Sequence, residues 1–253
     1  MKISVKTACG FLCSMAMHSM AFAIDCENES QLSAVLKQAN VAYQAYHLVD
    51  CKLLPNTKNQ QIIAYAQQNQ QSTDSEDFDY TLSLITLDTK NDRILSYYPV
   101  KDKLVSDAIS LERIQLDTAA YQLSPELRAI GVRLNYYGHS QPNPFSMQVL
   151  DLYDLKNKRK VLDSLIVDLY RAETDTRCNA DIEERKSTLI MQKTKTQNFV
   201  DIQLSSKIEK YEMYGDVENC KEIKRKSSQQ KFILKFDGQY YQVPKAFKDD
   251  YIY

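Results

Sequence analysis

The chain has 253 residues, 32 basic and 33 acidic, with a formal net charge of −1. That length allows one substantial domain or two small ones. The near balance of charge argues against a nucleic-acid-binding surface.

Met1 to Ala23 places Lys2 and Lys6 ahead of an apolar run, Ala8 to Met20, and closes on Ala21-Phe22-Ala23. This order is the pattern of a secretory signal peptide, with an apolar run too short for a good membrane span. Cleavage is expected to leave a periplasmic or secreted protein from about Ile24 to Tyr253, organised as one β-rich domain and without a transmembrane helix. Taking Lys2 and Lys6 from the 32 basic residues leaves 30 against 33 acidic ones, a formal charge of −3.

Four cysteines remain, Cys26, Cys51, Cys178 and Cys220. An even number in an exported chain favours disulfides, and four cysteines allow three pairings. We prefer Cys26 with Cys51 and Cys178 with Cys220, because each closes a local segment. Either bond contributes about 3 to 4 kcal/mol in the loop-entropy account. There is no Cys-x-x-Cys pair, and only His47 and His139 lie beyond the signal, so neither a metal site nor a cofactor is expected.

In the mature chain, Asn28 or Ser30 caps a helix over about residues 29–42, with Leu32, Val35, Leu36 and Ala39 at helical spacing. An extended segment, Cys51 to Pro55, and a short strand, Ile62 to Ala66, follow. The polar run from Gln67 to Asp77 cannot bury enough surface to offset its ordering entropy and reads as a mobile loop. Strands are then expected at Tyr80 to Asp88 and Arg93 to Val100, around the turn Thr89 to Asp92, and at Ile109 to Thr118, where the alternation slips register.

The strongest pattern is Arg128 to Asp154. Ile130, Val132, Leu134 and Tyr136 share one face of a strand, whereas Met147, Val149, Leu150 and Leu152 make the next strand apolar on both faces. Further strands are expected at Val161 to Tyr170, Ser187 to Lys193, Phe199 to Tyr214, Lys224 to Asp237 and Tyr240 to Val243. Asp237-Gly238 forms a tight turn into the last of them. Each of the pairs Tyr97-Tyr98, Tyr136-Tyr137 and Tyr240-Tyr241 puts one ring on either side of a strand.

The expected fold is mainly β: an antiparallel meander, sandwich- or clamshell-like, with one N-terminal helix. An incomplete β-propeller is the alternative, disfavoured because tryptophan is absent, there are only five glycines and no clean repeat period appears. The aromatic terminus Asp250-Tyr251-Ile252-Tyr253 raises an outer-membrane barrel, but charges on both faces of several strands oppose lipid contact.

Cys51-Lys52-Leu53-Leu54-Pro55, Asp117-Thr118-Ala119-Ala120-Tyr121, Arg128-Ala129-Ile130-Gly131-Val132-Arg133, Ser140-Gln141-Pro142-Asn143-Pro144 and Asp175-Thr176-Arg177-Cys178 resemble segments of a group of uncharacterised exported bacterial proteins. The resemblance implies export and the domain boundaries, and it carries over no catalytic residue.

The loop from Gly138 to Phe145 is the one place where a histidine, a hydroxyl and an exposed aromatic converge. His139, Ser140, Asn143, Phe145 and neighbouring Tyr137 are the candidate binding residues. His139 is also the best general base for a serine elsewhere, although no Gly-x-Ser-x-Gly elbow presents one. The acidic run Asp74, Glu76, Asp77 and Asp79 lacks the ordered spacing of a calcium loop. Lys156, Lys158, Arg159 and Lys160 form one basic turn and Lys221, Lys224, Arg225 and Lys226 another. Both read as solvated strand edges, with contact to anionic polymers or lipid headgroups as the functional alternative. The leading expectation is a non-enzymatic binding or accessory protein, with an envelope protein or cell-wall glycan as partner. An exported hydrolase using His139 and an outer-membrane-associated structural protein are the alternatives.

Overall fold

A computed structural model describes residues 23–69 and 78–248. The signal segment up to Phe22, most of the polar run, the acids Asp74, Glu76 and Asp77, and the terminal Asp250 to Tyr253 lie outside the described residues.

Helix α1 (Glu29–Gln38) starts where the Asn28 side chain accepts the Gln31 N–H at 3.1 Å. It ends four residues short of the expected 42, because Asn40 turns left-handed (φ 55°). The N–H of Asn40 then donates to Lys37 O and that of Val41 to Leu36 O, a Schellman close that satisfies the last carbonyls. Leu32, Val35 and Leu36 are buried against Ile63, Tyr65, Ile85 and Leu87 of the first sheet.

That sheet is a four-stranded antiparallel meander of β1 (His47–Leu53), β2 (Gln60–Gln68), β3 (Phe78–Asp88) and β4 (Arg93–Ser106). Ile62, Ala64, Leu82 and Leu84 point away from the helix into a second core. The period of two therefore buries both faces of the sheet, which explains the unbroken apolar runs of β2 and β3.

After Asp107 and Ala108 the chain enters a seven-stranded antiparallel meander: β5 (Ile109–Ser124), β6 (Leu127–Gly138), β7 (Phe145–Asp154), β8 (Arg159–Thr174), β9 (Ala180–Thr196), β10 (Phe199–Tyr214) and β11 (Lys221–Leu234). The two open sheets face each other as a β-sandwich, neither radial blades nor a closed barrel. Ile130, Val132, Leu134, Tyr136, Met147 and Val149 fill the core between them, while Leu150 and Leu152 enter a different core on the far face. The register slip in β5 falls between Leu111 and Arg113. Tyr97 and Tyr98 pack on opposite faces of β4, and Tyr136 is buried where Tyr137 is exposed.

The core on the far face, around Leu150 and Leu152, arises because the large sheet splits. β8 keeps β7 as a partner along most of its length but pairs with β9 only over Asp168–Thr174, whereas β9 follows β10 to its end. The C-terminal segment fills the gap. Tyr241 donates its N–H to Val161 O at 2.8 Å and its hydroxyl to Val200 O at 2.7 Å, and Lys248 bridges to Leu165. Phe236, Tyr241 and Phe247 are buried there with Leu162, Ile202 and Leu204. The strand expected at Tyr240 to Val243 is therefore a packing segment. It makes one isolated bridge, Phe236 to Tyr241, around a turn in which the Asp237 carboxylate accepts the Gln239 and Tyr240 N–H groups.

Cys26 stands bonded to Cys51, tying the helix to β1, and Cys178 to Cys220, tying the β8–β9 turn to the β10–β11 turn. These are the two local pairings. Two disulfides fit an oxidising compartment, and among the described residues no helix is long and apolar enough to cross a membrane.

Lys160 corrects the reading of its basic turn as a solvated edge. Its ammonium is buried between Asp163 (2.7 Å), Asp151 (3.2 Å) and Asp102 of β4 (3.2 Å). Asp151, itself 2% exposed, also accepts the Tyr153 hydroxyl at 3.0 Å and the Ser164 N–H at 2.7 Å. Burial alone lowers the lysine pKa, but Asp151, Tyr153 and Asp163 outweigh it and hold Lys160 charged. Lys160→Ala leaves the Asp151 charge buried without its cation and is expected to cost about 3–5 kcal/mol in urea unfolding. The double variant Lys160→Ala with Asp151→Asn should recover part of that loss, and equal stability of wild type and Lys160→Ala would refute the assignment.

Candidate functional site

The Gly138–Phe145 loop leaves β6 where a Cβ on Gly138 would come within 3.1 Å of the Phe145 Cβ, so the bare glycine lets the chain turn back closely on β7. Its two prolines lack N–H donors, yet their carbonyls anchor it. Pro142 O accepts the Thr174 N–H at 2.8 Å and Pro144 O accepts the Ala172 N–H at 3.0 Å. The Ser140 hydroxyl accepts the Asn143 N–H at 3.3 Å. The loop is thus pinned along the end of β8, where Cys178–Cys220 also holds the following turn.

His139 is exposed and meets Tyr137 edge-on, with ring centroids 5.0 Å apart. Its Nε2 lies 3.0 Å from Ser110 Oγ and 3.4 Å from Glu112 Oε1, while Ser110 donates to that same carboxylate oxygen at 2.6 Å. A serine, a histidine and a carboxylate therefore come together, from residues that the sequence pattern does not link. They do not form a relay: hydroxyl and carboxylate share one ring nitrogen, whereas a catalytic triad needs them on opposite nitrogens.

On its other side the loop forms one rim of a groove of about 1240 Å³. His139, Ser140, Asn143 and Phe145 line it; Tyr137 does not, and lies over an adjoining shallow depression with Glu112 and Gln148. The groove floor is the open end of the inter-sheet core, Met147, Ile166 and Leu169 beside Phe145 and Ile109. The far wall comes from β9, β10 and β11, and the C-terminal segment closes one end with Lys245, Ala246 and Lys248.

The far wall was missed from sequence. Glu183 of β9, 8% exposed, collects three cations: Arg171 at 2.7 Å, Lys210 at 3.1 Å and Arg185 at 3.4 Å. Burial pushes its carboxyl up, but the hydrogen bonds from Arg171 and Lys210 prevail and hold it below the ordinary glutamate range. Arg185 also donates to Ala246 O and lies 4.4 Å over the Phe247 ring, and its buried Nε has no hydrogen-bond partner among the described residues. Lys224 and Lys226 of the second basic turn line the groove as well, while Arg225 turns to Glu222 and Glu209 and covers the Tyr211 ring. The signal for this wall was in β9, where Asp181, Glu183 and Arg185 take one parity and Glu184 and Lys186 the other. A strand with charges on both faces, inside a sheet, has no dry face there.

The remaining singled-out residues are structural. His47 Nδ1 lies 2.6 Å from Gln44 O with its ring between Tyr43 and Tyr65. Asp79, the described member of the acidic run, pairs with Lys103 and accepts from Asn69.

Comparison with protein-family models, with curated proteins and with solved structures finds no match for this chain.

The shared-nitrogen geometry yields a direct test of hydrolase chemistry at this surface. A fluorophosphonate probe is expected to leave Ser110 unmodified by peptide mass analysis. Labelling of Ser110 that His139→Ala abolishes would establish a serine nucleophile.

Proposed function

We infer that this is an exported, disulfide-bonded binding protein whose ligand occupies the groove between the Gly138–Phe145 loop and the wall of β9 to β11. The observation that carries the reading is the groove itself, a volume of about 1240 Å³ against the ~300–1,000 Å³ of ordinary small-molecule sites. Its apolar floor offers contact area and its convergent polar side chains offer orientation. Backbone bonds from β8 hold the loop in place, and its histidine lies on an open rim within reach of a ligand. Two disulfides and the leader pattern support a periplasmic or secreted location.

Lysine footprinting with an amine-acetylating reagent tests the reading while the ligand is unidentified. With total envelope extract added, Lys210, Lys226 and Lys245, which line the groove, are expected to lose reactivity. Lys58 and Lys90, exposed on turns of the smaller sheet, should keep theirs. Equal reactivity of all five lysines with and without extract would remove the groove as the binding site.

A further inference from the structure

We propose that the groove takes an anionic amphiphile: a single hydrocarbon chain on the apolar floor and a phosphate-bearing headgroup against Arg171, Arg185 and Lys210. This rests on the groove being the ligand site and adds the chemical class of what enters it. Charge complementarity is the first argument. Leaving aside Lys248, which pairs with Asp163, the described residues line the groove with six lysine or arginine side chains against four carboxylates, in a protein whose overall formal charge is −1. The excess is concentrated where Glu183 alone faces three cations. One carboxylate cannot neutralise three. A planar guanidinium pair with an ammonium is the donor set that suits a phosphate's several oxygens.

The floor decides between amphiphile and peptide. Met147, Ile166, Leu169 and Ala172 give it no hydrogen-bonding side chain. A polypeptide laid there would strip water from its backbone N–H and C=O groups without replacing those bonds. A hydrocarbon chain has no such groups to lose and gains from every CH₂ buried. Cationic wall and apolar floor are neighbours, since Arg171 pairs across the ladder with Phe145, and Arg185 with Leu169. One molecule with a charged end and an apolar end can therefore satisfy both at once.

The test measures affinity of the purified mature protein for three probes by isothermal titration calorimetry, below their micelle concentrations. Lysophosphatidic acid with a fourteen-carbon chain carries both features, glycerol phosphate only the headgroup, and tetradecyl maltoside only the chain. Lysophosphatidic acid is expected to bind at least tenfold more tightly than either of the others. The variant Arg171→Gln with Lys210→Gln should abolish its advantage over the maltoside; both side chains are more than half exposed and Arg185 still partners Glu183. An unchanged melting temperature establishes that this variant is folded. Equal binding of glycerol phosphate would replace the amphiphile by a soluble phosphate ester. Equal binding of the maltoside, or an affinity for lysophosphatidic acid that ignores the double substitution, would overturn the charge assignment. Protection of the groove lysines by envelope extract together with no binding of lysophosphatidic acid would overturn the amphiphile while leaving the groove as the site.

Discussion

The bend of β8 around Asp151 is the constraint on which the rest of the larger sheet depends. Asp151 faces the inside of the molecule at a point where an apolar residue would continue the alternation. Its charge is tolerated because Lys160, Tyr153 and the Ser164 N–H all turn towards it. Ser164 reaches it by adopting a left-handed backbone (φ 54°) in an irregularity of the β7–β8 ladder, and such an insertion bends a strand and adds twist. The stretch of β8 that precedes Asp168, which holds Ser164, does not pair with β9. A buried ion pair is weak evidence for net stability, and here its consequence is geometric: it sits at the place where the sheet divides.

Two further features follow from that division. The half of β9 and β10 that leaves β8 would expose Ile202 and Leu204, so the C-terminal segment folds in with Phe236, Tyr241 and Phe247 to cover them. The half that stays with β8 carries Glu183 and Arg185 opposite Arg171 and Leu169, and the anchored loop faces it across open space. Lys248, in the C-terminal segment, bridges to Leu165 and also lines the groove. The groove thus lies where the divided sheet's inner face meets the anchored loop and the C-terminal segment.

The sequence made the local order of this architecture legible and its long-range consequences illegible. Alternation over Ile130 to Tyr136, the two-faced apolar pattern of Met147 to Leu152 and the slip near Glu112 each reflect side-chain period along one strand, which neighbouring residues reveal directly. The cysteine pairing was accessible for the same reason, since each bond closes a local segment. Lys160 was misread because its three carboxylates come from β4, β7 and a residue inside a bulge. Nothing in the run Lys156 to Lys160 distinguishes the one lysine that turns inward. Of the candidate site, the loop was found from its composition and one wall was found with it. The opposite wall needed three strands in register before Arg171, Glu183 and Lys210 became neighbours, and no motif announces a cluster assembled that way.

The central claim is that the groove holds a ligand in the compartment where the protein works. Site-specific photo-crosslinking in intact cells tests it most directly, with a photoreactive amino acid placed singly at Phe145 on the loop side, at Tyr211 on the opposite wall, or at exposed Leu95 on the smaller sheet. The account predicts the same adduct from both groove positions and none from Leu95. No adduct from either wall, or one shared equally with Leu95, would contradict it.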